Sequence, residues 1–361
     1  MAMAKRKTSD DDGDVPIAMA KRSANHTNSP LQLTRKNLAL LNTLNGDAED
    51  SDYDSAYLFE EDDDSDTMKK ISTTNSSFER RVYENGILDP VASHPPQDLD
   101  NIQHCLTQRR TSTQPSEGAH QRYCNKVFKS DNEAEVSSLI QSKIMKEYND
   151  MQYGKAVSRA ITRIPSQDFN NGLSNPLPDI LEGLDTAVLP NGLHDDHALH
   201  KKNSLSFCHF AAEIKRTDGN LHQATVQAAY DGAVLVDARE RSLSQARANL
   251  SNHVAIDKAA DEAAVFTCVT DGTVAEVYMH NSKDGQYHQN LVARKSLLSY
   301  PNLGRELIRN TQDFARSKSY ELANLLGADL KEEEEEEDVV VVKAKKAVGE
   351  AKGWALSFWP F

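Results

Sequence analysis

The chain has 361 residues, 38% of them hydrophobic, a mean hydropathy of -0.63 and a net charge of -14. That length has room for one large or two ordinary domains, but so low an apolar content excludes a chain folded from end to end. No apolar run is long enough to cross a bilayer and no charged-then-apolar secretory pattern opens the chain, so it reads as neither membrane-bound nor secreted, but nuclear or cytoplasmic.

Residues 1–80 are dominated by Ser, Thr, Asn, Asp and Lys, with acidic runs at Asp10–Asp12 and Glu60–Asp64. They cannot bury enough apolar surface to offset the entropy of ordering, so a disordered tail is expected there. Within it Lys5-Arg6-Lys7 and Lys21-Arg22 form two short basic groups. They read either as a split import signal for an extended receptor groove or as part of a charged tail. Residues 81–130 read as a partly ordered extension.

The folded region is expected over 131–328. In NEAEVSSLIQSKIMKEY, residues 132–148, Val136, Leu139, Ile140 and Ile144 share one helical face. Glu133, three residues before Val136, leans toward the same edge. It is either a carboxylate aimed at a metal or a first-turn acid complementing the helix dipole. Extended chain near Ile161–Ile164, a turn at Asn170–Gly172 and a strand at Asp179–Leu181 come next.

The motif that carries chemistry begins at Pro178-Asp179 and resumes, after 33 intervening residues, at Glu213-Ile214-Lys215. Alternate side chains of a strand share a face, so Phe207, His209, Ala211, Glu213 and Lys215 should project one way. Cys208, Phe210, Ala212 and Ile214 should then enter a core on the other side. Two carboxylates supply hard oxygen ligands for a divalent cation, and a lysine two residues on can stabilise an attacked phosphate. A bare Glu-x-Lys also describes a solvated strand face. The helical pattern after it distinguishes this one: Val226, Ala229, Tyr230, Ala233 and Val234 recur at helical spacing, and Gln223 and Gln227 stand one turn apart on that helix. His209 reads as a packed histidine, and Tyr230 as a core residue whose hydroxyl reaches a polar partner.

Beyond the helix, AVFTCVTDGTVAEVYMH reads as two strands joined at Asp271-Gly272, because glycine tolerates positive φ. A further strand is expected near Tyr287–Val292. Leu303, Leu307, Phe314, Leu322 and Leu325 then stripe a long helix that should cover one face of the sheet. Residues 329–361 hold Glu332–Glu337, Val339–Val342, a lysine group and GWALSFWPF, and are expected to be a solvated tail.

The blocks NGILDP, NNGLSNPLPDILEG, AAEIK, QAAYDGAVLVDAR, VTDGT, YHQN and RNTQDFARSKSYEL, in this order, resemble those of a fungal family of uncharacterised domains. They span roughly two thirds of the chain. Ile214 departs from the aromatic residue favoured at that position. The layout is in turn similar to the PD-(D/E)xK nuclease-like superfamily. That resemblance implies an α/β fold with a restriction-endonuclease-like core, a mixed central sheet flanked by helices and disordered N- and C-terminal tails. It also implies Mg²⁺ or Mn²⁺ held by Asp179, Glu213 and Glu133, with Lys215 and Gln227 completing a catalytic set.

Other constellations carry less. His194, Asp195, Asp196, His197 and His200 cluster in the long loop and read as solvated, since structural zinc needs four convergent ligands. Cys105, Cys124, Cys208 and Cys268 form no CxxC pair and read as reduced thiols. Neither a GxSxG nor a GxxxxGK[ST] motif occurs. Residues 130–330 carry 20 Lys/Arg against 26 Asp/Glu, which opposes non-specific duplex binding unless a local strip, with Lys201, Lys202, Lys215 and Arg216 as candidates, supplies positive charge. Two functions fit this pattern: a metal-dependent phosphodiesterase acting on nucleic acid, or a non-catalytic interaction module of the same fold that binds protein or nucleic acid.

Overall fold

The computed structural model describes residues 70–96, 98–111, 114–162, 169–186, 205–249 and 265–326, all within one unit, Met68–Phe361. The import-signal lysines, the His/Asp-rich loop, Lys201, Lys202 and the C-terminal segment lie outside these residues.

Six strands form one sheet in chain order: β1 (Tyr153–Val157), β2 (Ile180–Asp185), β3 (Leu205–Ile214), β4 (Val265–Thr270), β5 (Val274–Lys283) and β6 (Gln286–Ser296). Every neighbouring pair is antiparallel except β3–β4, which is parallel. Parallel neighbours need a crossover, and the 29-residue helix Leu221–Asn249 provides it. In chain order the helices are α1 (Phe78–Glu84), α2 (Leu99–Leu106), α3 (Glu117–Lys129), α4 (Glu133–Leu139), α5 (Leu221–Asn249) and α6 (Leu303–Leu325). The fold is thus mixed α/β, with helices on both faces of a mixed sheet.

The two faces have separate cores. Leu181 and Ala211 pack with Val226, Ala229, Tyr230, Ala233 and Val234 of α5. On the other side Ile180, Phe210, Ala212, Ile214 and Phe266 pack with Leu307, Ile308 and Ala315 of α6, and with Ile102, Val127 and Val136 of α2 to α4. Strand β3 is therefore buried along its whole length.

Several expected elements are shifted. Residues 70–80, expected within the disordered tail, are folded: Ile71 bridges to Leu173, and α1 starts at Phe78. The helix expected over 132–148 is regular only to Leu139 and then widens to a π-turn, Ile140–Ile144, closed by Met145 N–H on Ile140 O at 2.9 Å. The widening keeps both Ile140 and Ile144 in the core. Strand β1, Tyr153–Val157, is not among the expected strands, the extended chain expected near Ile161–Ile164 lies partly outside the described residues, and Asp179 immediately precedes β2 instead of lying in it. The Asp271-Gly272 hairpin joins β4 to β5 as expected, with Gly272 at φ +82°.

The alternation expected along β3 breaks at its start. Cys208 packs with Leu205 and Ala211 on the α5 side, not with Phe210 and Ala212. The cause is an irregularity opposite Gly183, where the β2–β3 register slips and Phe207 takes a φ of +49°. Phe207 O accepts from His209 Nδ1 at 3.1 Å and from Ser319 Oγ at 3.0 Å.

Candidate functional site

Antiparallel register pairs Ile180 with Ala212, so Asp179 and Glu213 occupy the next step on the same face. Three backbone contacts hold the two ends in place. Ser158 N–H donates to Asp179 O at 2.9 Å, Ile214 N–H donates to the Asp179 carboxylate at 2.7 Å, and Lys215 N–H donates to Thr270 O at 2.8 Å. Lys215 Nζ then lies 3.7 Å from Glu213 Oε2.

Helix α5 supplies a carboxylate that strand spacing does not reveal. Asp231, 2% exposed, is hydrogen-bonded to Glu213, which is 4% exposed. Gln223, Gln227 and Asp231 recur every four residues, so the stripe seen in the two glutamines continues one turn further. Gly232 sets how closely this stripe approaches the sheet: a Cβ there would fall 2.2 Å from the His280 ring on β5. His280 is buried and bonded to Thr267 Oγ1 at 2.8 Å, so the ring has no room to retreat.

Burial raises the carboxyl of Glu213 well above its ordinary range, and the charges of Asp231 and Asp179 raise it further, while Lys215 opposes them. Burial likewise lifts Asp231 to about 7, with Asp179 adding to the rise and Glu213 and Lys215 acting against it. Near neutral pH the Glu213–Asp231 pair therefore retains a proton between its two carboxyls.

The other expected residues separate into two groups. Gln227 is buried one turn before Asp231, and its Oε1 has no hydrogen-bond partner. Gln223 instead donates to Thr73 O at 3.1 Å. Tyr230 is fully buried and its hydroxyl donates to Asn170 and Ser174 O, which anchors the loop leading to Asp179. Glu133 does not join the centre. It is the first residue of α4, exposed, and its charge acts on Arg216 instead. The Asn132 cap starts that helix outside the sheet, so its first turn faces solvent rather than the metal position expected for Glu133.

The donor set suits a hard divalent cation: the carboxylates of Asp179, Glu213 and Asp231 and the amide oxygen of Gln227, with Gln227 Oε1 and Asp231 Oδ2 buried and without a hydrogen-bond partner. Among the described residues no three His, Cys, Asp or Glu side chains already stand in ligating positions. One Asp179 oxygen is engaged by Ile214, and Glu213 faces Asp231 through the hydrogen bond. Ion binding thus requires the shared proton to leave and the pair to open.

A second buried carboxylate, also missed from sequence, lies on the opposite face. Glu182 accepts from Gln312 Nε2 at 2.8 Å, and the same amide accepts from Lys146 N–H at 2.8 Å. Burial lifts Glu182 to about 7. All four cysteines are free thiols, and no helix among the described residues is long and apolar enough to cross a membrane.

No protein-family model, curated protein or solved structure matches the chain.

Proposed function

We propose that the chain is a divalent-metal-dependent phosphodiesterase with a PD-(D/E)xK-like, restriction-endonuclease-like core, built on the fungal domain pattern that its sequence blocks resemble. Supporting this is the element order α4–β1–β2–β3–α5–β4, with an acid entering β2, Glu-x-Lys closing β3 and an acid–amide stripe on the crossover helix. The observation that carries most weight is the cluster of Asp179, Glu213, Lys215 and Asp231, closed from three separate elements. A core packed for stability alone has no use for three interacting carboxylates.

In this reading Asp179, Glu213 and Asp231 hold Mg²⁺ or Mn²⁺, with Gln227 as a neutral oxygen donor. The ion, when bound, lowers the pKa of a coordinated water and neutralises phosphate charge. Lys215 faces the scissile phosphate and offsets the charge that builds there. Ile214 N–H keeps the Asp179 carboxylate oriented.

The test is cleavage of single- and double-stranded DNA and RNA by the full chain with Mn²⁺ or Mg²⁺, repeated with chelator. Metal-dependent cleavage that disappears in Glu213→Gln supports the assignment. A wild type that cuts none of these substrates leaves the non-catalytic module as the better account. That second reading is favoured by one observation, the Glu213–Asp231 hydrogen bond, which closes the centre without an ion.

A further inference from the structure

The candidate centre lies in an acidic chain, and the two described residues of the strip expected to provide positive charge are both engaged by acids. Arg216 is matched by Asp218 through two short hydrogen bonds and donates to Asp131 O at 3.0 Å. Lys215 turns to Glu213. Helix α3 offers what these do not. Arg122, Lys126 and Lys129 stand at i, i+4 and i+7, all exposed, and none is in an ion pair among the described residues. Glu117, at the far end, is the only acid of this helix.

The row is held rigidly from behind. His120, Tyr123, Cys124 and Val127 bury the opposite side, and Tyr123 donates to Gly272 O at 2.7 Å, fixing the helix to the β4–β5 hairpin. At the rise of a regular helix the three cations span about 10 Å, so the row can meet more than one phosphate of a strand laid along it. Phe128, 64% exposed, flanks the row near its end. The C-terminal end of the row lies near the strand end that carries Lys215: Arg216, its neighbour, donates to the carbonyl of Asp131, two residues beyond Lys129.

We propose that α3 is a binding track for single-stranded nucleic acid, with Arg122, Lys126 and Lys129 contacting phosphates and Phe128 stacking on a base, and that the track leads to the Glu213 centre. A single strand is the fitting partner because a duplex keeps its base faces closed to Phe128. The destination of the track rests on the phosphodiesterase reading; the binding itself does not.

The experiment uses the full chain in chelator and measures fluorescence anisotropy of labelled oligothymidylate, oligouridylate and a mixed-sequence duplex. The variant Arg122→Glu/Lys126→Glu/Lys129→Glu should bind single strands at least tenfold more weakly than wild type. The milder Arg122→Gln/Lys126→Gln/Lys129→Gln should flatten the slope of log affinity against log salt by about 2, the value for three released contacts on a single strand. Phe128→Ala should weaken single-strand binding roughly tenfold and leave duplex binding unchanged. Equal affinities across wild type and variants, no binding by the wild type, or a preference for duplex would each overturn the track. Single strands that bind through α3 but are never cut with Mn²⁺ would refute the phosphodiesterase and leave the track standing. Cleavage indifferent to every α3 variant would do the reverse.

Discussion

Glu213 at the end of β3 and Asp231 on the crossover helix share a buried hydrogen bond that requires a proton on one of them. A cation that uses both oxygens must displace that proton. Mn²⁺ affinity should therefore rise with pH through the neutral range, as the pair gives up its proton. Calorimetry in buffers of different ionisation enthalpy should show about one proton released per ion near pH 6. An affinity that stays flat from about pH 5.5 to 8 would rule out this coupling.

The same pair sets a stability trend in the absence of metal. Asp231 titrates higher in the folded chain than its ordinary 3.8, at about 7. The folded state thus holds more protons between those values, and its contribution is present below about pH 4 and fades as pH rises through 7. Asp231→Asn removes the carboxylate from this balance. It should raise stability at pH 8 by about 1–2 kcal/mol and flatten the pH profile, read from denaturant midpoints.

Lys215→Met retains most of the stem while deleting the charge beside Glu213. Turnover should disappear, whereas Mn²⁺ affinity should hold or tighten, because a cation next to the ion is gone. Stability should fall as well, most at high pH, because the cation removed is the one beside the buried Glu213. Retained cleavage at wild-type rate would remove Lys215 from the chemistry.

Gly232→Ala places a methyl group against His280. The helix must shift by a fraction of a turn's width or the ring must break its bond to Thr267, so a loss of about 1–3 kcal/mol is expected. Metal affinity should fall in parallel, since Asp231 rides on the adjacent position. Unchanged melting and unchanged affinity would show that the helix yields there freely.

Glu182→Gln tests the opposite face. Glu182 is also raised, to about 7 from 4.5, so its contribution too is lost as pH rises through that window. The variant should gain stability above pH 7, judged by thermal melts, without altering Mn²⁺ affinity. A parallel loss of metal binding would mean that the two faces of the sheet are coupled.

Much of this fold is legible where one local rule dominates. The Asp271-Gly272 hairpin, the α5 stripe and the α6 stripe from Leu307 to Leu322 each follow from a single period or a single φ requirement, whereas Leu303, expected in the α6 stripe, is exposed. Glu-x-Lys is readable because strand parity is local, and it holds from Ala211 onward. It fails at Cys208, since a register slip opposite Gly183 depends on a partner strand far away in sequence. Asp231 escapes a reading that seeks glutamine rather than aspartate on the helix, although the four-residue repeat runs straight to it. Glu182 escapes for a different reason: nothing in ILEGLD tells which face an acid takes until α6 and Gln312 cover it. Glu133 shows the converse, a correct helical face whose first turn lies beyond the sheet.

The slip opposite Gly183 separates two jobs along one hairpin. Below it, Ile180–Ala212, Leu181–Ala211 and Glu182–Phe210 fix the stagger of Asp179 against Glu213. Above it, the strands pair again in a different phase at Leu184–Ser206 and Asp185–Leu205. The stagger of the two acids is therefore set by the pairs next to them, and the phase of the pairing at Leu184 and Asp185 can differ without moving one acid past the other.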